Sequence, residues 1–303
     1  MTQAQAPVLV GVDAAARKRR RRAIGSLPLH IALVAIMIVW AIPALGLLVA
    51  SFRTAADTNS AGWWTAVGPP WNFTIENYQY VLGRSGIDQA FINSFVITIP
   101  ATVLVVLIAA FAAYAFAWMT FPGRDLLFVT VVGLLVVPLQ VTLIPVLQLL
   151  RDFQPGGIKL NGTILAVWLA HTGYGLPFAV YLLRNYFGSL PREVFESAAI
   201  DGAGPSTAFF RLAIPMSVPA LASLVIFQFL WVWNDLLVAL VYLGPVPENH
   251  PLSVVLANLT TSFGGGWQYL TAAAFISMII PIIVFLSLQR YFVRGITGGA
   301  VKG

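Results

Sequence analysis

Cysteine is absent from this chain of 303 residues, and charge is scarce: Asp, Glu, Lys and Arg together make up 9% of it. The first absence excludes disulfides, thiolate metal sites and cysteine nucleophiles. The second excludes an ordinary soluble domain, in which about a quarter of the residues are charged. Histidine is limited to three residues, and no nucleophile–base pair or metal-ligand cluster can be assembled from the sequence. The metal assignment is therefore none, and the chain reads as non-catalytic. A phosphate-cradling Gly-x-x-x-x-Gly-Lys-Ser/Thr run is missing as well, since none of Lys18, Lys159 and Lys302 follows a glycine. What fills the chain is apolar: 59% hydrophobic residues and a mean hydropathy of +0.85.

Crossing the hydrocarbon layer takes about 20 apolar residues in a helix. Six stretches qualify, at 28–50, 90–119, 126–150, 163–184, 217–243 and 269–289. Lipid leaves no partner for unpaired backbone, so each is expected to be a helix. The fold class is an all-α membrane protein with six transmembrane helices. Pro43, Pro100, Pro138, Pro145, Pro177 and Pro281 fall inside these stretches and predict kinks. The first stretch is too long for the apolar region of a cleavable signal and reads as a retained span.

Charge sets the orientation. The basic run Arg17-Lys18-Arg19-Arg20-Arg21-Arg22 precedes the first span and reads as a topology signal, not as a nucleic-acid patch. With the N-terminus inside, thirteen of the seventeen Lys and Arg residues fall on the inner side, whereas the acids divide evenly apart from Asp235 inside the fifth span. Both termini are then cytoplasmic. The chain divides into a basic N-terminal segment (1–27), a first transmembrane helix with an outer loop (28–89), a core of five helices (90–290) and a C-terminal tail (291–303). Trp63, Trp64, Trp71, Tyr78 and Tyr80 in the outer loop suit the headgroup layer.

The inner loop 185–216 is polar between greasy neighbours. Pro191 opens a short helix through Val194, Phe195, Ala198 and Ala199. Asp201-Gly202-Ala203-Gly204 stops it, because glycine tolerates the left-handed conformation that ends helices. Pro205 opens a second short helix with Phe209, Phe210 and Leu212, and Pro215 leads into the fifth span. The pattern supports two readings equally. Phe195, Phe209 and Phe210 anchor a partner, or the loop packs on itself along the membrane surface.

The run Glu196-Ser197-Ala198-Ala199, then Asp201-Gly202-Ala203 and Ile214-Pro215, resembles the EAA loop of ABC-importer permeases. The glycine stands six residues after the glutamate and the proline thirteen after that. Ser197 departs from the usual alanine but is also small. Trp233-Asn234-Asp235 and the tail from Gly295 to Gly303 are similar to the maltose and α-glucoside branch, in particular its smaller, MalG-like permease. The resemblance implies a type I, MetI-like permease core in a bacterial inner membrane. It implies four kinds of neighbour: a second, MalF-like permease subunit, two copies of a cytoplasmic ABC ATPase, an extracytoplasmic sugar-binding protein and the lipid bilayer. ATP and Mg would be bound by the partner ATPase, with no cofactor in this chain. Glu196, Ala198, Ala199, Asp201, Gly202, Ala203, Phe209 and Pro215 would form the ATPase-coupling element. Gly298, Gly299, Val301 and Lys302 would form an ATPase-contacting tail. The cargo would be an α-glucoside such as maltose or trehalose.

A substrate path has weaker markers. Asp235 is the one acid in an expected span, where an acid costs about 2.5–3.5 kcal/mol on insertion scales, so it should face protein or water. With Trp231, Trp233, Asn234 and Tyr174 it offers acceptors and aromatic faces to a sugar. The competing reading, slightly favoured, has Asn234 and Asp235 bonding a neighbouring helix. Gln140, Gln148 and His171 read as inter-helix hydrogen bonds. Gly173, Gly175 and Pro177 predict a bend or a close crossing in the fourth span. A stand-alone secondary transporter is the alternative function, though ion coupling usually calls for several intramembrane charges.

Overall fold

The computed structural model describes residues 10–83, 86–153, 155–259 and 266–300, and the side chains of 27–83, 86–153, 155–259 and 266–290. Among the described residues the chain is helices and turns, with one isolated antiparallel bridge between Arg53 and Phe73. Contacts divide it into two units, residues 1–74 and 75–303.

In the first unit, helix α1 (Val10–Ser51) runs 42 residues with Pro28 and Pro43 inside it. Gly46 is where the chain returns onto it: a Cβ there would stand 2.5 Å from the Trp63 indole nitrogen. Short helix α2 (Ala55–Ser60) is capped by Thr54, whose Oγ1 accepts from the Asp57 N–H. Arg53, 6% exposed, staples this segment. Its guanidinium donates to the carbonyls of Ala61 and Gly62 and to Thr65 Oγ1, at 2.9–3.1 Å. The segment after α1 thus has structure of its own.

The second unit contains α3 (Glu76–Gly83), α4 (Ile87–Trp118), α5 (Arg124–Gly133), α6 (Leu139–Asp152), α7 (Ile164–Gly188), α8 (Arg192–Ile200), α9 (Pro205–Ala208), α10 (Ile214–Met216), α11 (Val218–Trp233), α12 (Leu237–Leu243), α13 (Leu252–Ala257) and α14 (Trp267–Ala300). A π turn, Phe209–Ala213, joins α9 to α10. Helices α4 and α7 form the main packed pair, and α11 closes on α14 and α4. Alanines make the pair: Ala101, Ala109 and Ala113 on α4 and Ala166, Ala170 and Ala179 on α7 are all buried. Lipid gives helices no hydrophobic reason to associate, so close backbone approach and dispersion must do it. Gly175 serves the same end, as a Cβ on it would lie 2.8 Å from the Gln228 side chain of α11. The expected close crossing is therefore there.

Four helices are long and apolar enough to cross a membrane unbroken, at 27–51, 87–118, 164–188 and 267–290, and up to six spans result if each bent pair counts as one. The bent pairs correct the expectation of kinks without breaks. The third span is α5 with a 3-10 turn, Leu134–Val136, followed by α6 at 108°. Pro138 is the cause. It pushes Val137 to an extended conformation (φ −74°, ψ 116°), which a helix cannot continue through. The second pair is Pro205–Met216 followed by α11 at 75°, and beyond it α11 stops at Trp233 and the chain restarts as α12 at Leu237. Pro100, Pro177 and Pro281, by contrast, sit inside α4, α7 and α14 without breaking them. Gln140 and Gln148 are exposed on α6, and neither bonds another helix among the described residues, against expectation.

Candidate functional site

Helix α8 lies outside the spans and begins after Pro191. Its stop is set by backbone chemistry. Gly202 takes φ +83°, its N–H donates to the Ala199 carbonyl (3.1 Å), and the Ala203 N–H donates to the Ala198 carbonyl (2.9 Å). Those two bonds satisfy carbonyls that a helix end otherwise leaves unpaired, the Schellman arrangement. The result is a short rigid rod with one bare face. Glu196, Ala199 and Ile200 are exposed, Ile200 at 87%, and Asp201 follows them at the exposed turn. Ala198 and Ala203 are half-buried.

The other face is fixed to the chain's own bundle. Phe195, 8% exposed, stacks on Trp118 at the end of α4 with ring centres 3.9 Å apart. Phe209, 4% exposed, stacks on Phe111 and meets Tyr114 edge-on, both on α4. The Tyr114 hydroxyl donates to the Pro205 carbonyl (3.1 Å), and the Trp118 indole N–H donates to the Phe187 carbonyl of α7 (3.0 Å). Phe195 and Phe209 are thus internal anchors, as in the reading of a loop packed on its own chain. Phe210 alone of the three points out, at 60% exposure. Pro215 is exposed in α10, next to the 75° bend into α11.

The residues expected to mark a path divide. Trp233 is 3% exposed; its indole N–H donates to the Ser277 carbonyl of α14 (3.2 Å), and its ring packs against Phe95 and Phe229. It holds helices together. Asn234 and Asp235 bond neither a sugar-facing surface nor chiefly a neighbouring helix. The Asn234 amide donates to the Leu230 carbonyl (2.7 Å) at the end of α11, and Asp235 Oδ2 accepts from the N–H groups of Val238 (3.0 Å) and Ala239 (3.2 Å) at the start of α12. They are the caps of a helix break. Asp235 also lies 3.7 Å from the buried His171 of α7. Tyr174 does line a cavity, of about 560 Å³, together with Thr142, Gly173 and Trp231. There Thr142 Oγ1 donates to the Tyr174 hydroxyl (3.2 Å), which shares a 2.5 Å hydrogen bond with Tyr242. Trp231 and Trp233 both stand beside Asp235 in the sequence, and nothing there decides which of the two meets the cavity. Two residues apart on a helix, they point about 200° apart, so burial of one exposes the other.

The backbone of Gly298 and Gly299 continues α14, whereas Val301 and Lys302 lie outside the described residues. Among the described residues no group of three or more His, Asp or Glu side chains could hold a metal ion.

Residues 90–298 match the family described as "Binding-protein-dependent transport system inner membrane component". The chain is 56% identical over 279 residues to the osmoprotective compounds uptake permease protein GgtD of Synechocystis sp., covering 91% of this chain and 92% of that one. It is 52% identical to the alpha-glucoside transport system permease protein AglG of Rhizobium meliloti, covering 84% of this chain and 68% of the relative. Among solved structures, the fold is similar to a chain of a bacterial ABC transporter involved in the import of the acidic polysaccharide alginate. That likeness has a TM-score of 0.73 at 21% identity and covers 90% of this chain and 98% of the other.

Proposed function

The chain belongs to the family of binding-protein-dependent transport system inner membrane components, and from that premise we propose that it is one of two permease subunits of an ATP-driven importer of α-glucosides. Its fold is that of the type I ABC importer permeases, and the family's role is transport, not catalysis. The observation that carries the reading is α8, a rod with one face stacked on Trp118 and the other bare. The bare face, Glu196, Ala199 and Ile200 with the turn at Gly202, is the coupling surface, seated in a groove of a cytoplasmic ATPase. Two ATPase copies bind ATP and Mg, a second permease completes the pathway, and an extracytoplasmic binding protein delivers the sugar. Both termini of this chain, including the tail Gly298, Gly299, Val301 and Lys302, lie on the ATPase side of a bacterial inner membrane.

Force on α8 has a defined route. Phe195 passes it to the end of α4 through Trp118, Phe209 passes it to Phe111 and Tyr114, and Trp118 is tied to α7. Because α4 and α7 are the packed core, a shift of the rod moves the pair rather than the loop. The cavity with Tyr174, Thr142 and Trp231 is this subunit's contribution to the path. Its indole face suits the C–H face of a sugar and its hydroxyls suit sugar hydroxyls. The α-glucoside assignment draws on the relative AglG, whose name states that cargo.

Asp235 weighs against a stand-alone ion-coupled carrier, since the span's acid is already engaged in capping α12. The test is sugar uptake into vesicles containing the chain alone or the chain with its second permease, ATPase and binding protein. Maltose or trehalose uptake that requires ATP and all partners is expected. Uptake by the lone chain on an ion gradient sinks the proposal.

A further inference from the structure

Beside α8 lies a second cavity, of about 660 Å³, whose arginines the transport reading does not use. Its wall brings together Arg124 at the start of α5, Arg184 near the end of α7 and Arg192 at the start of α8, with Trp118 and Glu196. Arg124 is paired with its neighbour Asp125 (2.9 Å). Arg184 and Arg192 are paired with no carboxylate among the described residues. Arg184 donates only to the Asn185 amide oxygen (3.3 Å), and its guanidinium lies over the Phe128 ring, 4.8 Å from the centre. Helices α5 and α8 both begin at this cavity, and neither has a side-chain cap, as their N-cap residues are Gly123 and Pro191. Helix N-termini and guanidinium forks both favour an anion, phosphate above all.

The setting favours a lipid over a soluble anion. Helix α5, which contributes Arg124 to the wall, has Leu126, Leu127 and Val129 exposed. Acyl chains can lie along them while a headgroup reaches the arginines, and Trp118 is the kind of residue that sits at headgroup depth. We propose that this cavity binds the phosphate of an anionic phospholipid, so that the lipid touches Arg192 at the root of the coupling rod. That it is an inner-leaflet lipid rests on the orientation proposed above; the binding itself does not.

The test is native mass spectrometry of the purified full chain, delipidated in neutral detergent and titrated with phosphatidylglycerol or phosphatidylcholine. Retention of phosphatidylglycerol in preference to phosphatidylcholine is expected. Each arginine near a membrane surface contributes about fivefold in affinity, so Arg184→Gln should weaken phosphatidylglycerol about fivefold and Arg124→Gln with Arg184→Gln about twentyfold. Arg184→Lys should keep most of it. Inorganic phosphate at millimolar concentration should not displace the lipid. Equal retention of the two lipids by the unaltered chain overturns the proposal and requires no variant. Wild-type affinity in the double variant, or full displacement by inorganic phosphate, overturns it too. Because the readout is bound lipid and not uptake, it fails or succeeds independently of the transport assignment.

Discussion

Gly202 holds φ at +83° with nothing within 4 Å of where a Cβ would stand. Any penalty for a side chain there is one of backbone conformation, about 1–2 kcal/mol for an ordinary L-residue and less for asparagine. Gly202→Asn should therefore retain most ATPase association, Gly202→Ala should lose part, and Gly202→Val should lose most, with membrane insertion equal in all. Co-purification of the ATPase measures the series, and a flat series would mean that the turn is not needed for docking. Asp235 has the opposite logic. Asparagine caps helices as well as aspartate does, whereas alanine costs about 0.5–2 kcal/mol. Asp235→Asn should leave uptake nearly unchanged and Asp235→Ala should lower thermal stability in detergent. A loss of sugar uptake in Asp235→Asn at unchanged stability would return the residue to the path. The cap at Asp235 was legible in principle, an acid three residues before Val238, but the apolar run around it concealed the break.

Elements were legible in proportion to how long their pattern ran. Hydropathy located the spans, because lipid imposes a length of about 20 apolar residues whatever the packing. It could not locate the 108° bend between α5 and α6, since the residues from Leu134 to Leu139 are apolar on both sides of Pro138. Nor did it separate the two faces of α8. Phe195 and Glu196 are adjacent, and only the stack on Trp118 decides which points inward. That stack gives an element-scale prediction. Phe195→Ala removes a buried ring, a change that costs about 3–5 kcal/mol in a packed core, yet it leaves the bare face of α8 intact. The ATPase should still bind and hydrolyse ATP while sugar uptake falls severalfold, and Phe195→Leu should restore much of it. Parallel loss of ATPase binding and uptake would show that α8 is not a separable rod.

At the scale of the whole molecule, the loop from Glu196 to Pro215 carried the family reading, and the family match over 90–298 agrees with it. An ATPase on a separate chain was expected on two grounds, the resemblance of that loop and the missing phosphate loop. A further absence supplies the most direct test, because the chain has no cysteine. A single cysteine introduced at Ile200 gives a crosslinking site without background from the rest of the chain, and one introduced at Phe195 gives the inward-facing control. In assembled vesicles, the transport-competent Ile200→Cys chain should crosslink to the ATPase in high yield, and the Phe195→Cys chain, which still binds the ATPase, should not. An active complex in which Ile200→Cys fails to reach the ATPase would contradict the assignment of α8 as the coupling rod.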